Sequence, residues 1–235
     1  MFQGFSPATI DFMWGIRFNN DRSWFEPRKA EYKECFELPM KELCRECYEE
    51  YSAGHKDLEL VSRVSRIYRD ARRLFGRGPY KDHLWFTVSQ PAEDWSVRAT
   101  FWFELTPEEY SYGLGYWMAK ASTMAKLRAR LDRDPKSFEK LVRPLVKDPR
   151  LELTGETFKR PKAAPTAFLE PWYNRKSGFS VGCTRSHDDL LFTPALKDEI
   201  LKTWEELTPL YRYLSTLDGD PDPSPPQSPP RSVST

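Results

Sequence analysis

Apolar positions recur at helical spacing near both ends of the chain and at strand spacing in its middle. Ser6-Pro7 sets a helix start, with Ser6 as cap and Pro7 pre-formed at the first helical position. Ile10, Met13, Trp14 and Phe18 follow at helical intervals until Asn19-Asn20-Asp21 ends the element. A second amphipathic segment covers about 28–53, its stripe running through Tyr32, Cys35, Phe36, Met40, Leu43, Cys44, Cys47, Tyr48 and Tyr51. Pro39 removes a helical donor and should kink or split it.

The period then changes to two. Val97, Ala99, Phe101, Phe103 and Leu105 alternate with Arg98, Thr100, Trp102 and Glu104, and Tyr110, Tyr112, Leu114 and Tyr116 alternate with Ser111, Gly113 and Gly115. A short loop between these runs predicts an antiparallel hairpin. Residues 84–88 and 179–184 predict further strands. Helical spacing returns over about 119–132, again from Asp134-Pro135 through Leu145, and over 194–217, where Pro209 should bend the helix. Segment 58–75 fits a helical face through Val61, Val64, Tyr68, Ala71 and Phe75, while its β-branched start also permits a strand. Helices, then antiparallel strands, then helices predict an α+β domain over 1–217, its sheet of about four or more strands packed by N- and C-terminal helices. Residues 218–235 turn to Asp, Pro and Ser, with six prolines and no aromatic, and predict a disordered tail.

Composition narrows the class. Of 235 residues, 39% are hydrophobic and 30% charged, which suits a soluble domain with a substantial core. No stretch approaches the ~20 apolar residues of a membrane span, and the N-terminus has no secretory pattern, so a cytoplasmic protein is expected. The formal charge of +1 argues against a general nucleic-acid coat. Cys44 and Cys47 have the spacing of a redox or zinc motif but lie on the apolar stripe with no second pair, so core packing is expected and no metal. Neither a phosphate-binding loop nor a dinucleotide fingerprint is present, and no cofactor is implied.

The candidate chemistry sits in residues 66–83 and just before them. Arg63, Arg66, Arg69, Arg72, Arg73, Arg77 and Lys81 stand against Asp70 and Asp82 alone, a local excess of five charges. Guanidinium forks match carboxylate and phosphate oxygens in pairs, so a small phosphorylated or carboxylated ligand is expected there. Arg66, Arg69, Arg72, Arg73 and Lys81 would hold the anion, joined by Lys159 and Arg160 if that loop folds nearby. Gly76-Arg77-Gly78 could expose backbone donors beside them. Asp70 would orient an arginine, and Tyr80 and His83 would contact the rest of the ligand. Two other functions fit the same residues: an enzyme using His83 or Asp70 as acid or base, and a module docking an acidic partner or a nucleic-acid end. A solvated face of ion pairs competes with all three. Asn19, Asn20, Trp24 and Phe25 could read a ligand or simply cap and fill. The small face at Ser111, Gly113 and Gly115 leaves room for a ligand or a close-packed helix.

Several blocks in order resemble one family. Gly4-Phe5-Ser6-Pro7, Phe12, Asn19-Asn20-Asp21-Arg22, Trp24-Phe25-Glu26 and Tyr32 are similar to the opening of the domain of unknown function numbered 2461. Arg66-Ile67-Tyr68-Arg69-Asp70 with Pro79-Tyr80-Lys81-x-His83 resembles its most recognisable motif. Gly113-x-Gly115, Lys159-Arg160-Pro161 and Phe179-Ser180-Val181 fall where it has comparable pieces. The resemblance spans about 4–216 and implies an α+β domain without an assigned activity. The chain departs from it at 73–78, where a Phe-Ser-x-Asp-Lys-like stretch is usual, and at 162–172, where an Asp-x-x-His-Pro stretch has no counterpart.

Overall fold

The computed structural model describes residues 1–70, 72, 74, 76–93 and 98–223. Its centre is a six-stranded antiparallel sheet in the order β1-β2-β3-β4-β6-β5. The strands are β1 (Val61–Val64), β2 (Leu84–Ser89), β3 (Ala99–Leu105), β4 (Glu109–Tyr116), β5 (Glu152–Thr154) and β6 (Ser180–Ser186). The hairpin expected from alternation is β3–β4, in register from Ala99↔Tyr116 to Leu105↔Tyr110. Val97, also expected in that strand, lies outside the described residues.

Alternation gives the sheet two unlike faces. Leu84, Phe86, Phe101, Phe103, Tyr110, Tyr112 and Leu114 are fully buried on one. Against it pack α4 (Leu38–Gly54) and α8 (Ala195–Ser215). Trp204 of α8 meets Phe86 and Phe101, Tyr211 stacks on Phe101 at 4.8 Å, and Tyr51 of α4 closes edge-on at 5.0 Å. The other face carries Trp85, Thr87, Trp102, Glu104 and Ser111. The fold is α+β.

The amphipathic segment from 28 is interrupted as Pro39 requires. After α1 (Pro7–Phe18), the short turns α2 (Arg22–Phe25) and α3 (Lys29–Tyr32) lead into a π-helical stretch, Lys33–Glu37, and α4 starts with Pro39 in its first turn. Pro39 cannot donate to the carbonyl four residues back, Cys35. That carbonyl accepts instead from the buried Thr9 hydroxyl of α1 at 2.5 Å, which ties α1 to the break. α5 (Ala121–Arg133) and α6 (Pro135–Lys147) occupy the two segments expected helical, with Asp134 accepting from the Ser137 N–H at 3.1 Å as the α6 cap. α7 (Glu170–Tyr173) buries Trp172 against Phe138 and Phe179, and α8 runs through Pro209 without interruption.

The structure bears on three further readings. Of the two readings left open for segment 58–75, the strand holds at Val61–Val64, where pairing with β2 outweighs the helical spacing. Ala71 and Phe75 of that segment lie outside the described residues. Within the expected 218–235 tail, residues 218–223 are described: Leu217 is buried in a turn spanning Leu217–Gly219, Asp218 pairs with Arg98 and Asp220 with Arg130. Residues 224–235 of that expected tail lie outside the described residues. The space over Gly113 and Gly115 is already taken: a Cβ at Gly113 would stand 2.2 Å from the Val181 oxygen of β6 and one at Gly115 2.2 Å from the Phe179 oxygen just before it, so the glycines let the backbones approach closely.

Candidate functional site

Beyond Val64, the β1–β2 hairpin continues as a looser ribbon that presents the basic block. The Ser65 N–H donates to the Trp85 carbonyl at 2.8 Å, Lys81 N–H to Ile67 at 2.7 Å and Arg69 N–H to Pro79 at 2.8 Å. Tyr68 and Tyr80 form an isolated bridge. Ile67 and Tyr80 are buried, and Tyr80 stacks on Phe25 at 4.2 Å. Asn20 fixes the far arm: its side-chain oxygen accepts from the Tyr80 N–H and its amide donates to the Tyr80 carbonyl, both at 2.9 Å. Gly78 makes that clamp possible, because a Cβ there would lie 2.1 Å from the Asn20 side-chain oxygen. Gly76 turns the chain at φ 77°, a left-handed conformation suited to glycine. Asn20 and Phe25 are therefore structural parts, as are Asn19, which donates to the Gly15 carbonyl, and the half-buried Trp24.

Four cations surround the ribbon's centre. The Lys81 ammonium donates to the Arg66 carbonyl at 2.7 Å and lies 5.6 Å from the Trp85 ring centre. Burial lowers its pKa, and Arg69, Arg66 and Arg63 each lower it further, against only Glu104 opposing. Arg69 donates Nε to the Tyr80 carbonyl at 2.7 Å while its Nη2 stands 3.7 Å from Asp82. Arg66 is exposed.

The remaining candidates separate from this group. Arg72 is exposed and forks onto Asp70 at 2.8 and 3.1 Å, so Asp70 serves Arg72 rather than His83. Arg73 lies outside the described residues. Tyr80 offers a carbonyl, its ring being packed in the core. Lys159 and Arg160 do not join: they follow β5, the edge strand opposite β1 and β2. They also follow the Thr154 end, which registers through Ser180 and Gly115 with the end of β3 away from Leu84.

His83 belongs to a second, acidic group beside the first. Its Nδ1 is 2.9 Å from Asp82 and its Nε2 3.8 Å from Glu104. Arg17 of α1 donates Nε to Asp82 at 2.5 Å and pairs with Glu108. Hydrogen bonds from His83 and Arg17 hold the Asp82 carboxyl well below the usual range, although partial burial opposes them. Burial pushes Glu104 the other way, with His83 and Lys81 limiting the rise. Arg17 and Glu104 had no signal in the sequence beyond their own elements, since only the fold brings α1 and β3 to the start of β2. Cys44 and Cys47 are buried on the inner side of α4, where burial pushes the Cys44 thiol up to about 11. Among the described residues no three His, Cys, Asp or Glu side chains converge as a metal would need. None of their helices is long and apolar enough to cross a membrane.

No curated protein matches the chain. A family model described as "Conserved hypothetical protein (DUF2461)" matches residues 8–213, from α1 to the last turn of α8, so it takes in the ribbon, the acidic group and every strand. The chain belongs to the DUF2461 family.

Proposed function

We propose that the protein is a cytoplasmic domain that binds a small phosphorylated or carboxylated anion at Lys81, Arg66 and Arg69. The observation carrying this is the crowding of like charge around a half-buried ammonium. Like charge from Arg69, Arg66 and Arg63 acts on Lys81 with Glu104 opposing it, and a bound anion would offset that repulsion. An anion bridging Lys81 to Arg66 or Arg69 does so, and the Trp85 ring offers a flat surface for the ligand's uncharged part. Arg72 is committed to Asp70, and Tyr80 contributes only by holding Arg69. Acid–base catalysis by His83 is the weaker reading, because both its ring nitrogens face carboxylates already.

The test is thermal unfolding with inorganic phosphate and with citrate. Ligand at ten times its Kd should stabilise the wild type by about 1.4 kcal/mol through mass action. Lys81→Met should lose that response while staying within about 1 kcal/mol of wild type without ligand, because it removes a charge its neighbours repel. A ligand shift that persists in Lys81→Met refutes the proposal.

A further inference from the structure

A formal charge of +1 conceals a segregation along the chain. Residues 119–176 hold fifteen lysines and arginines against seven aspartates and glutamates, an excess of eight, which leaves −7 on all the rest. Those residues build α5, α6, β5 and α7; β5 is the sheet edge opposite β1, and α6 packs against α5 and α8.

α6 concentrates the excess in one row. Phe138, Val142 and Leu145 bury its inner side, while Lys136, Lys140, Arg143 and Lys147 are exposed on the outer side, with Glu139 and Pro144 between them. From the first to the last of them the helix rises about 16 Å. Among the described residues Lys136, Lys140 and Lys147 make no ion pair; Arg143 reaches back to Glu139 at 3.0 Å and lies over Phe168. Thr166 hydrogen-bonds Glu139, so the exposed Lys159, Arg160 and Lys162 arrive a few residues before a contact with α6.

We infer that this face binds the phosphate backbone of double-stranded nucleic acid. A row of exposed cations about 16 Å long, on a helix that carries Pro144 and with three of the four outside any ion pair among the described residues, matches phosphates at 3.4 Å of axis per base pair, about five pairs along one strand. Single strands are bound through open aromatic platforms, and here Phe168 lies under Arg143 and Phe158 under Arg128 and Lys162. Val146 is the large exposed apolar side chain on α6, too little to enter a membrane surface or to form the apolar centre of a protein interface. The negative remainder of the molecule turns this face toward a polyanion on approach.

The experiment is fluorescence anisotropy of the full chain with a labelled 20-base-pair duplex of arbitrary sequence, from 50 to 200 mM KCl. The logarithm of the affinity should fall linearly with that of salt. Each of Lys136→Ala, Lys140→Ala and Lys147→Ala should make the slope shallower by about 0.9. The triple variant should lose at least tenfold in affinity at 50 mM with an unchanged melting temperature, since the three side chains are solvent-exposed. Lys81→Met should bind duplex as the wild type does, which separates this surface from the anion site. Absence of wild-type binding at 50 mM overturns the inference. So does wild-type affinity in the triple variant, or tighter binding to single strands, phosphatidylserine vesicles or polyglutamate than to the duplex.

Discussion

At the scale of single residues, Asp82 sets how the basic ribbon meets the rest of the molecule. It accepts from Arg17 and His83 and stands within 3.7 Å of Arg69, so one carboxylate joins α1, the start of β2 and the ribbon. A carboxyl held below its ordinary value binds fewer protons folded than unfolded. Its stabilisation is therefore complete above the unfolded value of about 3.9 and fades as pH falls toward the lower folded one. Asp82→Asn should cost about 1–3 kcal/mol at pH 7, because it leaves a guanidinium without its acceptor. Urea titrations at pH 7 and pH 3 should show that gap narrowing at the lower pH; a gap independent of pH would mean the charge of Asp82 is not what stabilises. The sequence showed the arginines and the histidine but not this arrangement. Asp82 lies next to His83 in the chain, whereas Arg17 and Glu104 arrive from 65 residues before and 22 after.

At the scale of elements, legibility followed length and contact range. β3 and β4 were readable because seven and eight residues of strict alternation have a single structural meaning. β1 and β5 were not, being four and three residues long and carrying few buried side chains to mark a period. The 66–81 ribbon was unreadable for another reason: Asn20 and Phe25 fix its path, and neither is local to it. The sequence also left the glycines of β4 ambiguous, and the sheet resolves them. A Cβ on Gly113 would stand 2.2 Å from the Val181 oxygen and 2.6 Å from the Gly182 Cα, backbone atoms that cannot swing aside. Gly113→Ala should therefore push β4 from β6 and cost about 1–3 kcal/mol, as overpacking does. Urea unfolding would register this as a lower midpoint with an unchanged slope. A neutral substitution would mean that the strands separate without penalty.

At the scale of the whole molecule, charge is sorted by region, and the chain's last described residues respond to that sorting. Asp218, Asp220 and Asp222 reach Arg98, Arg130 and Lys126, so an acidic segment returns to the basic end of the molecule. Arg130 is the strongest of these anchors. It forks onto Asp220 and also donates to the Tyr213 and Thr216 carbonyls and the Thr216 hydroxyl, fastening the end of α8 to α5. Composition alone placed the boundary at Leu217, because Asp and Pro cannot build a core, but a segment can also be held by charges that earlier helices supply. Two truncations separate these causes. A chain ending at 223 keeps every one of the pairs and should melt as the full chain does. A chain ending at 217 removes all three aspartates and leaves Arg130 without its carboxylate. It should lose about 1–3 kcal/mol, given that the exposed Asp218 and Asp222 pairs contribute little beside the well-covered Arg130 fork. Equal melting temperatures for the two truncations would show that α8 holds α5 without the Asp220 pair, through packing and the Arg130 bonds to Tyr213 and Thr216. A lower one for the shorter chain, restored by a peptide-length extension only when Asp220 is present, would assign the fastening to that single ion pair.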